Sequence, residues 1–153
     1  MNPDEMIMEL KLALPPVPKA AGLYKPVLMQ GDLVYFSGHL PILSDGSMIT
    51  GRVGTELSIE EGAAAARHIG LSVLSSLKEK LGSLNQISRL VKLLGMVNAP
   101  SSFSEHPKVI NGCSELFREI WGEDLGVGVR SAFGVSGLPG NASVEIEGIF
   151  QLA

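Results

Sequence analysis

Residues 58–82 form the longest patterned segment of this chain, and they limit what it can fold into. Ser58 and Glu61 have the spacing of a capping box, in which two side chains satisfy free amides at the start of a helix. Apolar and small residues then recur every three or four positions up to Gly82, which predicts a helix ending there. Its buried face starts with small side chains, at Ala63, Ala66 and Gly70. We therefore expect this helix to approach a sheet closely.

Strand-like segments lie on both sides of this helix. Residues 26–30 and 33–36 flank a Gly31-Asp32 turn, which predicts a β-hairpin. The segment 43–57 has no apolar period and is typical of a surface loop. After the helix, the run from Ile87 to Val97 is dense in β-branched residues and predicts a strand buried on one side and partly on the other.

A second helix is predicted after this strand. Ser104 is its candidate N-cap, Pro107 fits its first turn and Gly122 is its expected end. Cys113 lies in the middle of the apolar face, with no basic side chain next to it in the sequence. We therefore interpret Cys113 as a small core residue rather than a nucleophile.

The last third of the chain contains two alternating segments joined by residues 137–140. In the first, bulky apolar side chains alternate with small ones and a single arginine, and in the second they alternate with two carboxylates. We expect the bulky side chains, at Val127, Val129, Phe133 and Val135, to lie under the helices. Arg130 is expected on the other face, with Glu145 and Glu147 on the neighbouring strand.

The order of these elements is strand pair, helix, strand, helix, strand pair. It predicts an α+β fold with both helices on one face of the sheet. The 153 residues suffice for one domain, 1–153, in which residues 1–20 add a short helix over 1–14 and a proline-rich stretch. The second sheet face would be poorly solvated in a monomer, so we expect a homo-oligomer with ligand clefts between subunits.

Composition disfavours several classes of protein. Twelve basic and 16 acidic residues give a net charge of −4, which offers no general field for nucleic acid. The single cysteine excludes an intrachain disulfide, and the three histidines are too scattered to predict a metal site. No signal peptide or membrane span is predicted, so we expect a cytoplasmic protein without a membrane partner.

Arg130 is the residue most suited to bind a ligand. Its planar guanidinium can hold a carboxylate or phosphate with two hydrogen bonds, and the small residues Gly128, Ala132 and Gly134 would leave space around it. The alternative is that Arg130 only neutralises Glu145 or Glu147 inside an interface. The residue pattern alone leaves both interpretations open.

Residues 128–149, GVRSAFGVSGLPGNASVEIEGI, resemble the C-terminal signature of the RidA (YjgF/UK114) family. The similarity continues upstream at Tyr24, at the Ser37-Gly38-His39-Leu40-Pro41 turn, and at Asn111 on the second predicted helix. The N-terminal helix and the prolines after it resemble a longer subgroup often labelled "putative endoribonuclease".

This resemblance implies a chorismate-mutase-like α+β fold, with a mixed sheet, assembled as a homotrimer with three clefts between subunits. It also implies a deaminase of small 2-imino acids that needs no metal or cofactor. In that activity Arg130 holds the substrate carboxylate and Glu145 activates a water. The other residues implied to contact substrate are Tyr24, Ser37, Gly38, Ala132 and Asn111.

Two positions depart from the family pattern. Ala132 stands where many deaminases of the family have cysteine, and His39 replaces the usual glutamine. His39 is either a titrating group near the pocket or a structural histidine.

Two alternative functions remain beside the deaminase. One is the endoribonuclease activity of the older family label, against which the net charge counts. The other is a trimeric protein that binds small carboxylates or stabilises a partner without catalysis.

Overall fold

The computed structural model describes all 153 residues as a five-stranded mixed sheet with two long helices on one face. The helices are α1 (Pro3–Glu9), α2 (Ile59–Leu81) and α3 (His106–Leu125), and the strands are β1 (Val27–Gln30), β2 (Leu33–His39), β3 (Ile87–Asn98), β4 (Val129–Val135) and β5 (Val144–Leu152). Single 3-10 turns lie at Leu84–Gln86 and Pro139–Asn141. The strand order is β1-β2-β5-β3-β4, so the predicted α+β class is confirmed.

Helix α2 has the predicted ends. The Ser58 hydroxyl accepts from the Glu61 amide at 3.1 Å, and the Glu61 carboxylate accepts from the Ser58 amide at 3.0 Å. Gly82 ends the helix with a φ of 83°. The small side chains of α2, however, face α3 rather than the sheet, because an added Cβ at Gly70 would lie 2.8 Å from Leu116 of α3. The close approach is therefore between α2 and α3, and the expected approach of these residues to the sheet was wrong.

Helix α3 differs from the prediction at both ends. Its N-cap is Glu105, which makes no capping hydrogen bond through its side chain, so the assignment of Ser104 as cap was wrong. The helix also continues past Gly122, where a φ of 88° marks a kink. Cys113 is fully buried in the core, as predicted, and this burial raises the pKa of its thiol.

The N-terminal extension is bound to α2 and to the connection between α2 and β3. Helix α1 ends at Glu9, earlier than the predicted residue 14. The Asp4 carboxylate accepts hydrogen bonds from the Ser83 hydroxyl and, at 3.2 Å, from the Leu84 amide. Further along, the Ser75 hydroxyl of α2 donates to the Pro15 carbonyl at 2.7 Å. None of the helices combines the length and the apolar character that crossing a bilayer requires.

The hairpin of β1 and β2 is confirmed, but the expected pairing of the last two strands is not. Strand β3 lies between β4 and β5, pairing in parallel with β4 and antiparallel with β5. The reason is that α3 joins β3 to β4 as a strand–helix–strand crossover, which makes these two strands parallel neighbours. The chain then crosses β3 through residues 136–143 before β5 begins.

The assignment of the two faces of β4 was also wrong. Arg130 pairs with Leu93, which is buried beneath the helices, so Arg130 faces α3. The bulky side chains of Val129 and Phe133 are 68% and 41% exposed on the open sheet face. The lack of space between the sheet and α3 explains this arrangement. Ile110 of α3 lies so close to the sheet that even a Cβ atom at Gly95, which pairs with Ala132, would not fit.

Candidate functional site

Arg130 is held in place by α3. Its Nη1 atom donates to Asn111 Oδ1 at 2.8 Å and to Ser114 Oγ at 2.9 Å, while Nη2 has a longer contact of 3.4 Å with the Pro107 carbonyl. Both hydrogens on Nη1 are therefore engaged in hydrogen bonds to α3. The edge formed by Nε and Nη2 still has hydrogens that can be donated to a ligand. Arg130 forms no ion pair with a carboxylate of its own chain.

A cavity of about 450 Å³ borders Arg130 between α3 and the start of β4. Asn111 and Ser114 line it beside the arginine, and its other charged lining residues are Glu115, Arg118 and Glu123. This volume is within the range of small-molecule sites in proteins. Ala132 follows Arg130 on the same face of β4 and packs against the core.

Glu145 lies on the open face of the sheet. Its neighbours in β5, Val144 and Ile146, are fully buried under the helices, so alternation directs Glu145 and Glu147 to the opposite side. Burial raises the pKa of Glu145, and the negative charge of Glu147 raises it further. A carboxylate with a raised pKa is a stronger base, as a group that removes a proton from water requires.

Gly38 and Tyr24 lie together on the β2 side of the sheet. Gly38 is next to the Glu145 carboxylate, and together with Tyr24 it lines a small cavity of about 60 Å³. The Tyr24 hydroxyl accepts from the Ala21 amide at 3.2 Å, which holds the ring over this cavity. Ser37 donates from its hydroxyl to the Lys25 carbonyl and so closes the open end of the β1–β2 hairpin.

His39 is a structural residue. Its Nδ1 donates to the Ser37 carbonyl at 2.6 Å, which leaves Nε2 to accept from the Ser76 hydroxyl at 2.9 Å. His39 is only 5% exposed, and burial lowers the pKa of its imidazole. The neutral imidazole thus connects β2 to α2, which supports the structural interpretation, and the ring also lines the small cavity at Tyr24 and Gly38.

The predicted site residues form two groups on opposite faces of the sheet. Arg130, Asn111 and Ala132 lie on the helix side at the β4 edge. Tyr24, Ser37, Gly38 and Glu145 lie around β2 and the open face, with β3 and its backbone between the groups. A single copy of the chain therefore does not bring the arginine and Glu145 to one ligand.

Residues 5–146 match the family described as "YjgF/chorismate_mutase-like, putative endoribonuclease". The chain belongs to the RidA/YjgF family. Among similar proteins, Protein TCP17 of Trypanosoma cruzi is 37% identical over 146 residues, which cover 95% of this chain and 91% of TCP17. This RidA/YjgF chain thus shares nearly its full length with that relative.

Solved structures of similar proteins have the same fold. Atu1372 from Agrobacterium tumefaciens, described as having unknown function, is 36% identical with a TM-score of 0.88, over 99% of this chain and 94% of that one. A "putative endoribonuclease" from Shewanella oneidensis is 31% identical with a TM-score of 0.93, over 99% and 100%. The predicted chorismate-mutase-like fold of the RidA/YjgF family thus agrees with these findings.

Two contacts of Arg130 escaped the sequence analysis. Ser114 could have been found, because it lies three residues after Asn111 and shares its helix face. The contact with the Pro107 carbonyl could not be predicted from the sequence. Every residue has a backbone carbonyl, and only the path of the chain in the fold determines which one lies near Arg130.

Proposed function

We propose that this protein is a hydrolytic deaminase of small 2-imino acids whose site is completed by a second copy of the chain. The observation that carries the proposal is the separation of two complementary groups on opposite sheet faces. One group offers a guanidinium edge for a carboxylate, and the other offers a base of raised pKa. A neighbouring subunit that sets its Glu145 against the Arg130 cavity would join them.

The exposed apolar side chains of the open face support such an assembly. Leu28, Tyr35, Val129 and Phe133 are 39–68% exposed, and a patch of this kind on a sheet is typical of a protein interface. A homotrimer, as the resemblance implies, would bury this face in three equivalent interfaces and create three clefts.

The chemistry follows from these groups. Arg130 holds the substrate carboxylate and so places the iminium carbon near the Glu145 of the other copy. Glu145 takes a proton from water while the water oxygen bonds to that carbon, which gives a neutral carbinolamine. The protonated Glu145 then protonates the amine, the C–N bond breaks with loss of ammonia, and the hydroxyl proton passes to that ammonia. The products are a 2-oxo acid and ammonium.

The net charge of the chain favours a small ligand over RNA. Arg118 and Arg130 are balanced by Glu115 and Glu123 around the cavity, and the net charge of −4 adds no general attraction for a phosphate backbone. We therefore do not extend the endoribonuclease activity of the family label to this chain. A protein that only binds carboxylates would need Arg130 but not Glu145.

The decisive experiment supplies 2-iminopropanoate, generated from alanine by an amino acid oxidase, to the purified protein. Faster formation of pyruvate and ammonium than in buffer is expected, and both Arg130→Gln and Glu145→Gln should abolish it. Carboxylate binding should be lost in Arg130→Gln and kept in Glu145→Gln. Equal hydrolysis with and without the native protein would exclude the deaminase.

Mixing the two inactive variants tests the shared site. If subunits of Arg130→Gln and Glu145→Gln are unfolded and reassembled together in equal amounts, about a quarter of the clefts receive both native residues. Activity should then return to about a quarter of the native value. If mixed assemblies form but activity does not return, Arg130 and Glu145 of one site must come from the same chain.

A further inference from the structure

A second large cavity lies at the other end of β4. Its volume is about 520 Å³, and it is formed where β3 and β4 end and α3 begins. The residues around it that matter for binding are Arg52, Ser101, Phe103, His106 and Ser136. It shares no lining residue with the cavity beside Arg130.

Arg52 is fixed in position at this cavity. Its Nε donates to Asn98 Oδ1 at 3.3 Å, and its Nη2 donates to the Ala99 carbonyl at 2.7 Å. The backbone carbonyl of Arg52 also accepts from the amides of Glu56 and Leu57, both at 3.0 Å, which closes the loop around it. The Nη1 hydrogens have no partner within the chain, so a ligand can use them without reorganising the side chain.

His106 faces the same space. Its ring packs edge-on against Phe103, with centroids 5.0 Å apart and an interplanar angle of 90°. Gly134 makes room for it, since an added Cβ there would lie 2.5 Å from Nε2. The ring is thus held between an aromatic side chain and a bare stretch of backbone, and no side chain or carbonyl of the protein accepts from it.

The charge of this cavity differs from that of the other large cavities of the protein. The chain carries a net charge of −4, and the cavities beside Arg130, Glu147 and Glu79 each include a glutamate. No acidic residue lines the cavity of Arg52 and His106. Its polar groups are a guanidinium, an imidazole and two hydroxyls, which can all donate hydrogen bonds.

We infer that this cavity binds the phosphate group of a small molecule between Arg52 and His106. A tetrahedral phosphate has enough acceptor oxygens to use Arg52, His106 and the hydroxyls together, whereas a planar carboxylate would engage only one or two of these donors. The remaining volume can hold an organic group against the Phe103 ring. The inference is independent of the proposed deaminase, because none of these residues takes part in that reaction.

The test measures binding of inorganic phosphate to the intact protein by calorimetry, at constant ionic strength. Saturable binding is expected, and acetate should bind at least about tenfold more weakly, as the loss of one charge-assisted hydrogen bond implies. Both His106→Gln and Arg52→Gln should weaken phosphate binding by at least about tenfold. Arg52 also anchors its loop. If Arg52→Gln unfolds for that reason, phosphate binding by His106→Gln tests the inference by itself.

The location of the bound phosphate is tested by NMR of the histidine ring signals. Phosphate should shift the His106 signals in the native protein and equally in Arg130→Gln, whose substitution lies in the other cavity. The inference is overturned if phosphate does not saturate, if His106→Gln binds it as well as the native protein, or if the shifts disappear in Arg130→Gln. None of these results depends on whether the protein hydrolyses imines.

Discussion

Gly38 lies against the carboxylate of Glu145, so closely that a Cβ atom at position 38 would overlap Oε2 and Cδ. The pairing of β2 with β5 shifts between Phe36 and His39, and this irregularity brings the Gly38 backbone beside the glutamate. The glycine of the Ser-Gly-His-Leu-Pro turn thus provides the space in which the proposed base rests.

Gly38→Ala should therefore impair catalysis without unfolding the protein. The added methyl group displaces the Glu145 carboxylate, and a displacement of about 1 Å in a reacting group can cost about 100-fold in rate. The measurement is kcat/KM for imine hydrolysis, together with Tm. Gly137→Ala is the control, because an added Cβ there has no neighbour within 4 Å. Unchanged activity in Gly38→Ala would argue against Glu145 as the base.

Glu147→Gln should move the pH profile of the reaction. Burial is the main cause of the raised pKa of Glu145, and the charge of Glu147 is the second. Removing that charge lowers the pKa of Glu145, so the base stays ionised in more acidic solution. The acid limb of kcat/KM should shift to lower pH but remain above the ordinary value of 4.5. Glu79→Gln, an equal charge change on α2, should leave the profile in place.

His39→Gln should make the protein less sensitive to acid. The folded protein keeps His39 neutral with a lowered pKa, whereas the unfolded chain binds a proton below the ordinary value of 6.5. Native stability is therefore full above pH 6.5 and is lost as the pH falls from there toward the lowered pKa, by at most about 1.4 kcal/mol per pH unit.

Denaturant unfolding of both proteins between pH 7.5 and pH 5 measures this effect. The difference in unfolding free energy, native minus His39→Gln, should shrink as the pH falls. Because Glu145 titrates in both proteins, its contribution cancels from the difference. A constant difference over this range would contradict the prediction.

Gly112→Ala should destabilise the fold although alanine is the better helix former. An added Cβ at Gly112 would overlap the backbone carbonyl of Ala63 in α2, so the two helices would have to separate. We expect a loss of about 1–3 kcal/mol in unfolding free energy, against the gain of about 1 kcal/mol that helix propensity alone would give. Stabilisation of the variant would show that the helices can move apart at little cost.

Local features of the fold could be read from the sequence because neighbouring residues produce them. The Ser58–Glu61 capping box, the end of α2 at Gly82 and the hairpin turn at Gly31 each depend on a few consecutive residues. The helical period likewise placed Cys113 in the core. The resemblance to a family then pointed to Arg130 and Glu145, which spacing alone did not relate to each other.

The tertiary structure decided which strands are neighbours and which side of β4 is covered. Alternation along a strand shows that its two faces differ, but only long-range packing determines which face meets the helices. Here α3 lies so close to β3 and β4 that the small residues and Arg130 pack beneath it, and the bulky side chains lie on the open face. For the same reason, Arg130 and Glu145 ended on opposite faces, and no pattern of residues along the chain contains that relation.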